Sequence, residues 1–365
     1  MTVVPQTEWD ELDGKLSGLC KIARAAGCGG LILRKQASLS WLLGGRSHVP
    51  NTLDAACFDV LLDVATRELT IVVNAIEAPR LQATELKGLT ARFHVVQWWE
   101  DRGGALPSGD DIGSDASIPA RINLSEDIAA LRRRFTPLQQ TRLQQVSTDA
   151  ARAATRAALQ LTPTMTEYQA AGAFAQEFLA DGMDPIVLLV AGADRMARDR
   201  HPLPTTAVLG SRGMLVCCAR RHGVVASVTR IATFQPLTSA EKDGYSRLLQ
   251  VESDFLDATR PGASLGDAFS SGVAGYAAHG FDPDEWHRHH QGGLSGWEPR
   301  EFPARMDSSQ VLTAGNVVAW NPSGDGWKVE DTCLVTADGV EPLVHDPAWP
   351  QLVVGDRVRP GILQL

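Results

Sequence analysis

No stretch of this 365-residue chain approaches the ~20 consecutive apolar residues that a membrane-crossing helix needs, so a membrane partner is not expected. The opening MTVVPQTEWDELDGK has no basic segment followed by an apolar one. It therefore does not read as a secretory leader, and the cytoplasm is the expected location. Positive charge is short as well: 34 Lys and Arg against 43 Asp and Glu leave a net charge of -9. Such a chain lacks the cationic surface that neutralises phosphates, so nucleic acid is not an expected partner. Its one basic cluster, Arg132-Arg133-Arg134, reads as a solvated helix end. The six cysteines, Cys20, Cys28, Cys57, Cys217, Cys218 and Cys333, include no CxxC pair. They read as buried free thiols of a reducing compartment. Cys217 and Cys218 make a poor metal pair, because adjacent strand residues point to opposite faces. There is no internal repeat and no low-complexity tract.

What is there is the balance of a globular protein, 44% hydrophobic and 21% charged, in a length that suits two domains. The first part alternates. Leu16, Leu19 and Ile22 space a helix over Lys15 to Ala26, and Gly27, Gly29 and Gly30 stop it. Strands are expected at Leu31 to Leu33, Phe58 to Asp63, Leu69 to Val73 and Phe93 to Gln97, with a helix over Ala78 to Leu86. Asp101 to Ser117, rich in Gly, Asp, Ser and Pro, reads as a surface loop. After a boundary between Asn123 and Thr136 the order changes. Thr136-Pro137 starts a helix to about Leu159, and Thr166 opens another. Strands are expected at Pro185 to Val190, Met214 to Cys218 and Val224 to Phe234, then helices from Ser239 to Ala258 and Leu265 to His279. From His287 on, the pattern is strand and loop. The fold class is α+β, a small α/β domain over 1–130 before a larger α+β domain over 131–365.

Several motifs in the second part occur together. FTPLQQTRLQQVSTDAARAATRAALQLTPTMTE runs from a Thr-Pro helix start to the turn Pro163-Thr164-Met165-Thr166-Glu167, and AGADRMARDRHPLPT follows. In order and spacing they resemble the P-G-M-T-E turn and the S-G-x-N…H-x-x-P stretch of the creatinase/aminopeptidase P/prolidase family. The resemblance covers nearly the whole chain. It implies a C-terminal pita-bread domain preceded by a creatinase-type α/β domain, a two-fold homodimer, and a substrate-facing place for His201.

Metallopeptidases of that family hold two divalent metals with two Asp, one His and two Glu. The resemblance aligns the Asp positions with Val216 and Ser227 in VCCARRHGVVASVTR, and the His position with His290 in HHQGGLSGWE. The two Glu positions fall on Asn321 in Trp320-Asn321-Pro322 and on Glu330 in EDTCLVT, and Trp297 stands where the family has a second, substrate-facing His. One His and one carboxylate cannot offset the charge of two ions, so no metal and no cofactor are expected. A single Zn²⁺ on His290, Glu330 and a neighbouring histidine is conceivable, but His289 and His290 are adjacent and such pairs rarely converge on one ion.

The run EWHRHHQGGLSGWEPRE concentrates the candidate site. His201, His290, Glu330 and Glu301 are the expected catalytic groups, since a histidine with a pKa near ~6.5 moves protons well at neutral pH. His289, Gln291, Asn321, Arg300, Arg230, Arg46 and Trp297 are the expected substrate contacts. Glu298, Glu301 and Glu330 could hold a cationic group, and Arg46 in WLLGGRSHVPN could clamp a carboxylate. Each has a plainer reading: a glycine-rich surface loop for the His run, a buried ion pair for Arg230, and strand anchoring for Glu330-Asp331. Three functions stay open. One is a metal-independent, creatinase-like C–N hydrolase of a small zwitterionic or peptide-like molecule. The second is an inactive relative that serves as a binding module, and the third is a residual Xaa-Pro metallopeptidase.

Overall fold

The computed structural model describes residues 8–44, 55–119 and 121–365, and the chain divides into two compact units, Met1–Arg133 and Arg134–Leu365. Arg46, His48 and Asn51 lie outside the described residues.

In the first unit the elements are α1 (Glu8–Ala25), β1 (Gly30–Lys35), α2 (Gln36–Leu43), β2 (Ala55–Asp63), β3 (Leu69–Asn74), α3 (Ala78–Ala83), β4 (Arg92–Val96), β5 (Ile112–Ser114), β6 (Ile122–Asn123) and α4 (Ser125–Arg132). The strands form one sheet in the order β4-β3-β2-β1-β5-β6. The stretch read as a surface loop, 101–117, contains β5, which pairs in parallel with β1. Its glycine and aspartate content hid a short buried strand. Gly113 sits so close to Leu124 that a Cβ would come within 2.6 Å of it, and buried Asp115 accepts from the backbone N–H groups of Arg34 and Lys35, both at 3.0 Å. Helix α2 also escaped the sequence reading: seven of its eight residues are buried, so it shows no amphipathic stripe.

The second unit holds α5 (Pro137–Ala158), α6 (Glu167–Ala180), β7 (Asp184–Gly192), α7 (Ala193–Met196), β8 (Arg212–Arg221), β9 (Val224–Thr233), α8 (Ser239–Ala258), α9 (Leu265–Ala278), β10 (Gly292–Leu294), β11 (Phe302–Pro303) and β12 (Val317–Trp320). It continues with β13 (Ser323–Gly324), β14 (Trp327–Lys328), β15 (Asp331–Val335), β16 (Val340–Pro342), β17 (Gln351–Val354), β18 (Arg357–Pro360) and β19 (Leu363–Gln364). Helices α5, α6, α8 and α9 each begin with a capping box, in which the Ser or Thr N-cap and the residue three positions later satisfy each other's backbone N–H. The long helices are therefore where the sequence places them. The main sheet runs β11-β10-β12-β15-β9-β8-β7, with β16 on β15 and β19 on β9. Its core includes Val216, Leu248, Phe255, Phe269 and Trp320. Trp320 stacks on Phe255 at 4.7 Å, and its indole N–H donates to Thr259 at 2.9 Å.

Candidate active site

The site assembles from three segments of the second unit. The first is the loop carrying His201, between α7 and β8. Glu167, the last residue of the Thr-Met-Thr-Glu turn, is fully buried and organises that loop. Its carboxylate accepts from the backbone N–H of Gly192 and of Thr205, both at 2.9 Å, and from the Thr205 hydroxyl at 2.7 Å, and it pairs with Arg195. Arg200, next to His201, pairs with buried Glu285. Glu285 belongs to the short 3₁₀ turn that leads into the second segment, His289-His290-Gln291.

That second segment enters β10 through two glycines. Gly292 lies at φ 113°, and a Cβ there would meet the Ala319 carbonyl at 2.2 Å. Only glycine lets β10 pair with β12 this closely. Gln291 is buried, accepts from the Tyr276 hydroxyl at 2.7 Å, and donates to the carbonyls of His289 at 2.6 Å and Trp286 at 3.1 Å. It fixes the backbone that presents the two histidines.

The third segment is the β13–β14 hairpin and the two residues that lead from it into β15, which supply Lys328 and Glu330. Asp325 and Gly326 take left-handed conformations, φ 52° and 82°, at the turn. Glu330 is buried, and its carboxylate accepts from Arg300 at 2.7 Å and lies 3.7 Å from the Lys328 ammonium. Arg300 also donates to the Ala319 carbonyl at 3.0 Å. Burial by itself would raise the Glu330 carboxyl, but Lys328 and Arg300 together hold it below its ordinary value. Burial draws Lys328 down in turn, partly offset by Glu330.

Beside this cluster the imidazoles gather. The Nε2 atoms of His201 and His289 are 2.8 Å apart, and the rings of His289 and His290 stack at 4.3 Å. His289 is buried, while His201 and His290 are open to solvent. All three are depressed below the ordinary histidine range, first by desolvation, which is partial for His201 and His290. The next influence is Lys328 for His201 and His289, and Arg300 for His290, which is drawn down to about 4. They are neutral bases at neutral pH. A cleft of about 640 Å³ opens against His289 and His290, walled by Phe269, Trp286 and Met306 with Arg305 at its rim.

The sequence profile of metallopeptidase family M24 matches residues 142–337. The chain belongs to this family. Solved structures agree on the fold. The prolidase from Pyrococcus horikoshii OT3 superposes with a TM-score of 0.77 at 16% identity, covering 91% of this chain and 98% of that one. The dipeptidase PepE from Mycobacterium ulcerans gives 0.76 at 18% identity over 99% and 100%. Aminopeptidase P from E. coli, solved with the inhibitor Pro-Leu, gives 0.70 at 15% identity over 93% and 95%. At these identities the likeness establishes the M24 pita-bread fold with its N-terminal domain. No curated protein matches the chain.

Within this M24 fold the expected site residues separate. His201, His289, His290, Arg300 and Glu330 come together as described, and His289 and His290 converge although adjacent, because His289 at the end of the 3₁₀ turn is extended and its ring stacks over that of His290. Others are held by packing. Trp297 is 4% exposed and packs in the core against Phe135 at 5.0 Å. Arg230 is 2% exposed and is bound to Asp331 at 2.8 Å and to the Val344 carbonyl at 3.1 Å, the ion-pair reading. Gln291 is spent on the backbone. Val216 is a core residue, and the fully buried Ser227 hydroxyl faces the Cys218 thiol at 3.5 Å. Asn321 is 1% exposed with Oδ1 unpartnered. Glu330 is not free to hold a cationic ligand, since Arg300 and Lys328 already do that work. Glu298 and Glu301 are half-buried. The sequence reading missed Lys328 and Glu167. The K-x-E spacing of Lys328 and Glu330 was visible, but not that both side chains share one buried pocket.

Proposed function

We propose that this chain is an M24 hydrolase that works without the family's divalent metal pair and cleaves a C–N bond in a small zwitterionic molecule, nearer to creatinase than to prolidase. The observation that carries this is the gathering of three neutral imidazoles beside a carboxylate that already has two protein cations as counter-ions. Two hard divalent ions need several anionic oxygens. At the aligned positions Val216 offers no donor, Ser227 and Asn321 are uncharged, and Glu330 is neutralised. These residues do not fit a metal pair.

Proton transfer then falls to imidazole. His201 or His290, both open to solvent, takes a proton from a water molecule. The water oxygen bonds to the substrate carbon, the C–N bond breaks, and the imidazolium returns its proton to the departing nitrogen. His289 holds the His201 ring through their 2.8 Å contact. Asn321, whose buried Oδ1 has no hydrogen-bond partner, is the residue we assign to hydrogen-bond the substrate, and Glu301 the one we assign to orient it. One observation favours the binding-module reading instead: the engaged Glu330 leaves the site without a free carboxylate to activate water.

The test is turnover by chelator-treated protein on a panel of guanidino acids, N-acyl amino acids and Xaa-Pro dipeptides, followed by NMR. Release of an amine or urea that survives chelation, and is lost in His201→Ala and His290→Ala, is the expected result. Xaa-Pro cleavage that requires about two equivalents of metal per chain would sink the proposal and restore a metallopeptidase, as would unchanged turnover in both histidine variants. Ligand binding without turnover would leave a binding module.

A further inference from the structure

We propose that His201, His289 and His290 form a mononuclear site for one borderline divalent cation, of which Zn²⁺ is the type, and that its capture switches off the proton chemistry of the same imidazoles. The second half rests on the function proposed above; the first rests on geometry alone.

Among the described residues these three histidines form a set whose potential ligand atoms all lie within 4.8 Å of one another. Tetrahedral zinc with Zn–N bonds of about 2.0–2.1 Å places its ligand nitrogens roughly 3.4 Å apart. The observed separations bracket that value, from 2.8 Å between the His201 and His289 Nε2 atoms up to the 4.8 Å limit. His289 is 9% exposed, and its Nδ1 has no hydrogen-bond partner. Neither of its tautomers is locked by a second bond, so Nε2 can present its lone pair. The backbone beneath is fixed by Gln291 and by the Arg200–Glu285 pair, so the ligands are held on both sides of the site before an ion arrives.

Three neutral nitrogens and no carboxylate select for the metal. Imidazole suits Zn²⁺, Cu²⁺ and Ni²⁺, whereas Mg²⁺ and Ca²⁺ demand oxygen. Glu330 is not counted as a ligand, because its oxygens face Arg300 and Lys328. Those three residues carry a net single positive charge, which weakens the hold on a dication. It also favours an anion, such as hydroxide or a small carboxylate, in the fourth position on the solvent side of His201 and His290. An ion there occupies the lone pairs that would accept a proton from water.

The experiment is isothermal titration of the chelator-treated full chain with Zn²⁺, Co²⁺ and Mg²⁺, with the ligand-field spectrum of the Co²⁺ form as a second readout. One equivalent of Zn²⁺, a tetrahedral Co²⁺ spectrum and no Mg²⁺ binding are expected. His201→Ala, at an exposed position, should weaken Zn²⁺ by roughly tenfold or more, since even loss of an outer partner of a metal ligand costs that much. Zero equivalents, two equivalents, an octahedral Co²⁺ spectrum, or Zn²⁺ affinity unchanged in both His201→Ala and His289→Gln would each overturn the site. If the site binds as expected, full turnover with Zn²⁺ bound would overturn the switch, and absence of any turnover would bear on the proposed function without touching the metal site.

Discussion

Glu330 and Asp331 are neighbours in sequence, yet they belong to two different ion clusters of the second unit. Successive residues along extended chain point to opposite sides, and here the two sides have different charge balances. Asp331 lies between Arg230 at 2.8 Å and Arg359 at 3.2 Å, and Arg359 in turn holds Glu252 at 2.7 Å. All four are 2% exposed or less, and two cations meet two anions. Glu330 meets Arg300 and Lys328, two cations against one anion, and lies near His201 and His290, the second of which lines a cleft. The balanced cluster is sealed and joins β9, β15, β18 and α8. The unbalanced one has unspent positive charge, and its Arg300 is partly exposed. A buried ion group that closes on itself holds the fold; one that does not close has something left to offer a ligand.

The largest effect expected from this contrast is on the sealed side. Asp331→Ala strands Arg230 beside an Arg359 that keeps only Glu252, and breaking a buried pair in this way costs about 3–5 kcal/mol. The fall should appear as a lower urea midpoint. Arg300→Met is the matching change on the open side. Glu330 keeps Lys328, and the loss should be about 1.5–3 kcal/mol, the range for a hydrogen bond to a charged group. Equal losses from the two variants would erase the distinction. Thr238→Ala, in the capping box of α8 and outside both clusters, sets a reference of about 1 kcal/mol by the same measurement. His201→Ala should change stability by no more than about 0.5 kcal/mol, because the side chain is exposed. Its turnover should nonetheless fall by roughly 10²–10⁴, the usual contribution of a general acid or base.

The smallest effect is one of pH. Hydrogen bonds from Thr238 hold the Glu241 carboxyl below its ordinary value. A lowered folded-state pKa gives stability that is fully present above the unfolded value of about 4.3 and is lost as pH falls through the lower folded value. Glu241→Gln should therefore lower stability slightly in the neutral region, where the carboxylate is charged, and leave the strongly acidic region unchanged, so that the acid limb flattens. A loss of the same size at pH 7 and at pH 3 would show that the side chain acts by shape and not by charge.

Much of the second unit was legible in the chain itself. Capping boxes and helical spacing are local, so Thr136, Thr166, Thr238 and Ser264 announced their helices. The strands β7, β8 and β9 were visible as apolar runs. Some elements of the first unit were not, α2 and β5 among them. The helix α2 is buried nearly all round and so lacks the one-sided stripe that marks a surface helix, and β5 is three residues within a glycine- and aspartate-rich segment. In the site, the histidine and glycine run stood out by composition, but composition could not separate ligand-facing residues from packed ones. Trp297 and Arg230 looked functional and are buried in structural contacts.

The sequence by itself determined the family, through motifs whose order and spacing survive as a linear pattern. Only the tertiary structure decided which charged and imidazole side chains meet. Arg300 and Lys328 converge on Glu330 from a loop and a hairpin, and His201 crosses to His289 over 88 positions of chain. Charge neutralisation and imidazole clustering act over a few ångströms in space, and no local property of the chain encodes a distance between residues so far apart along it.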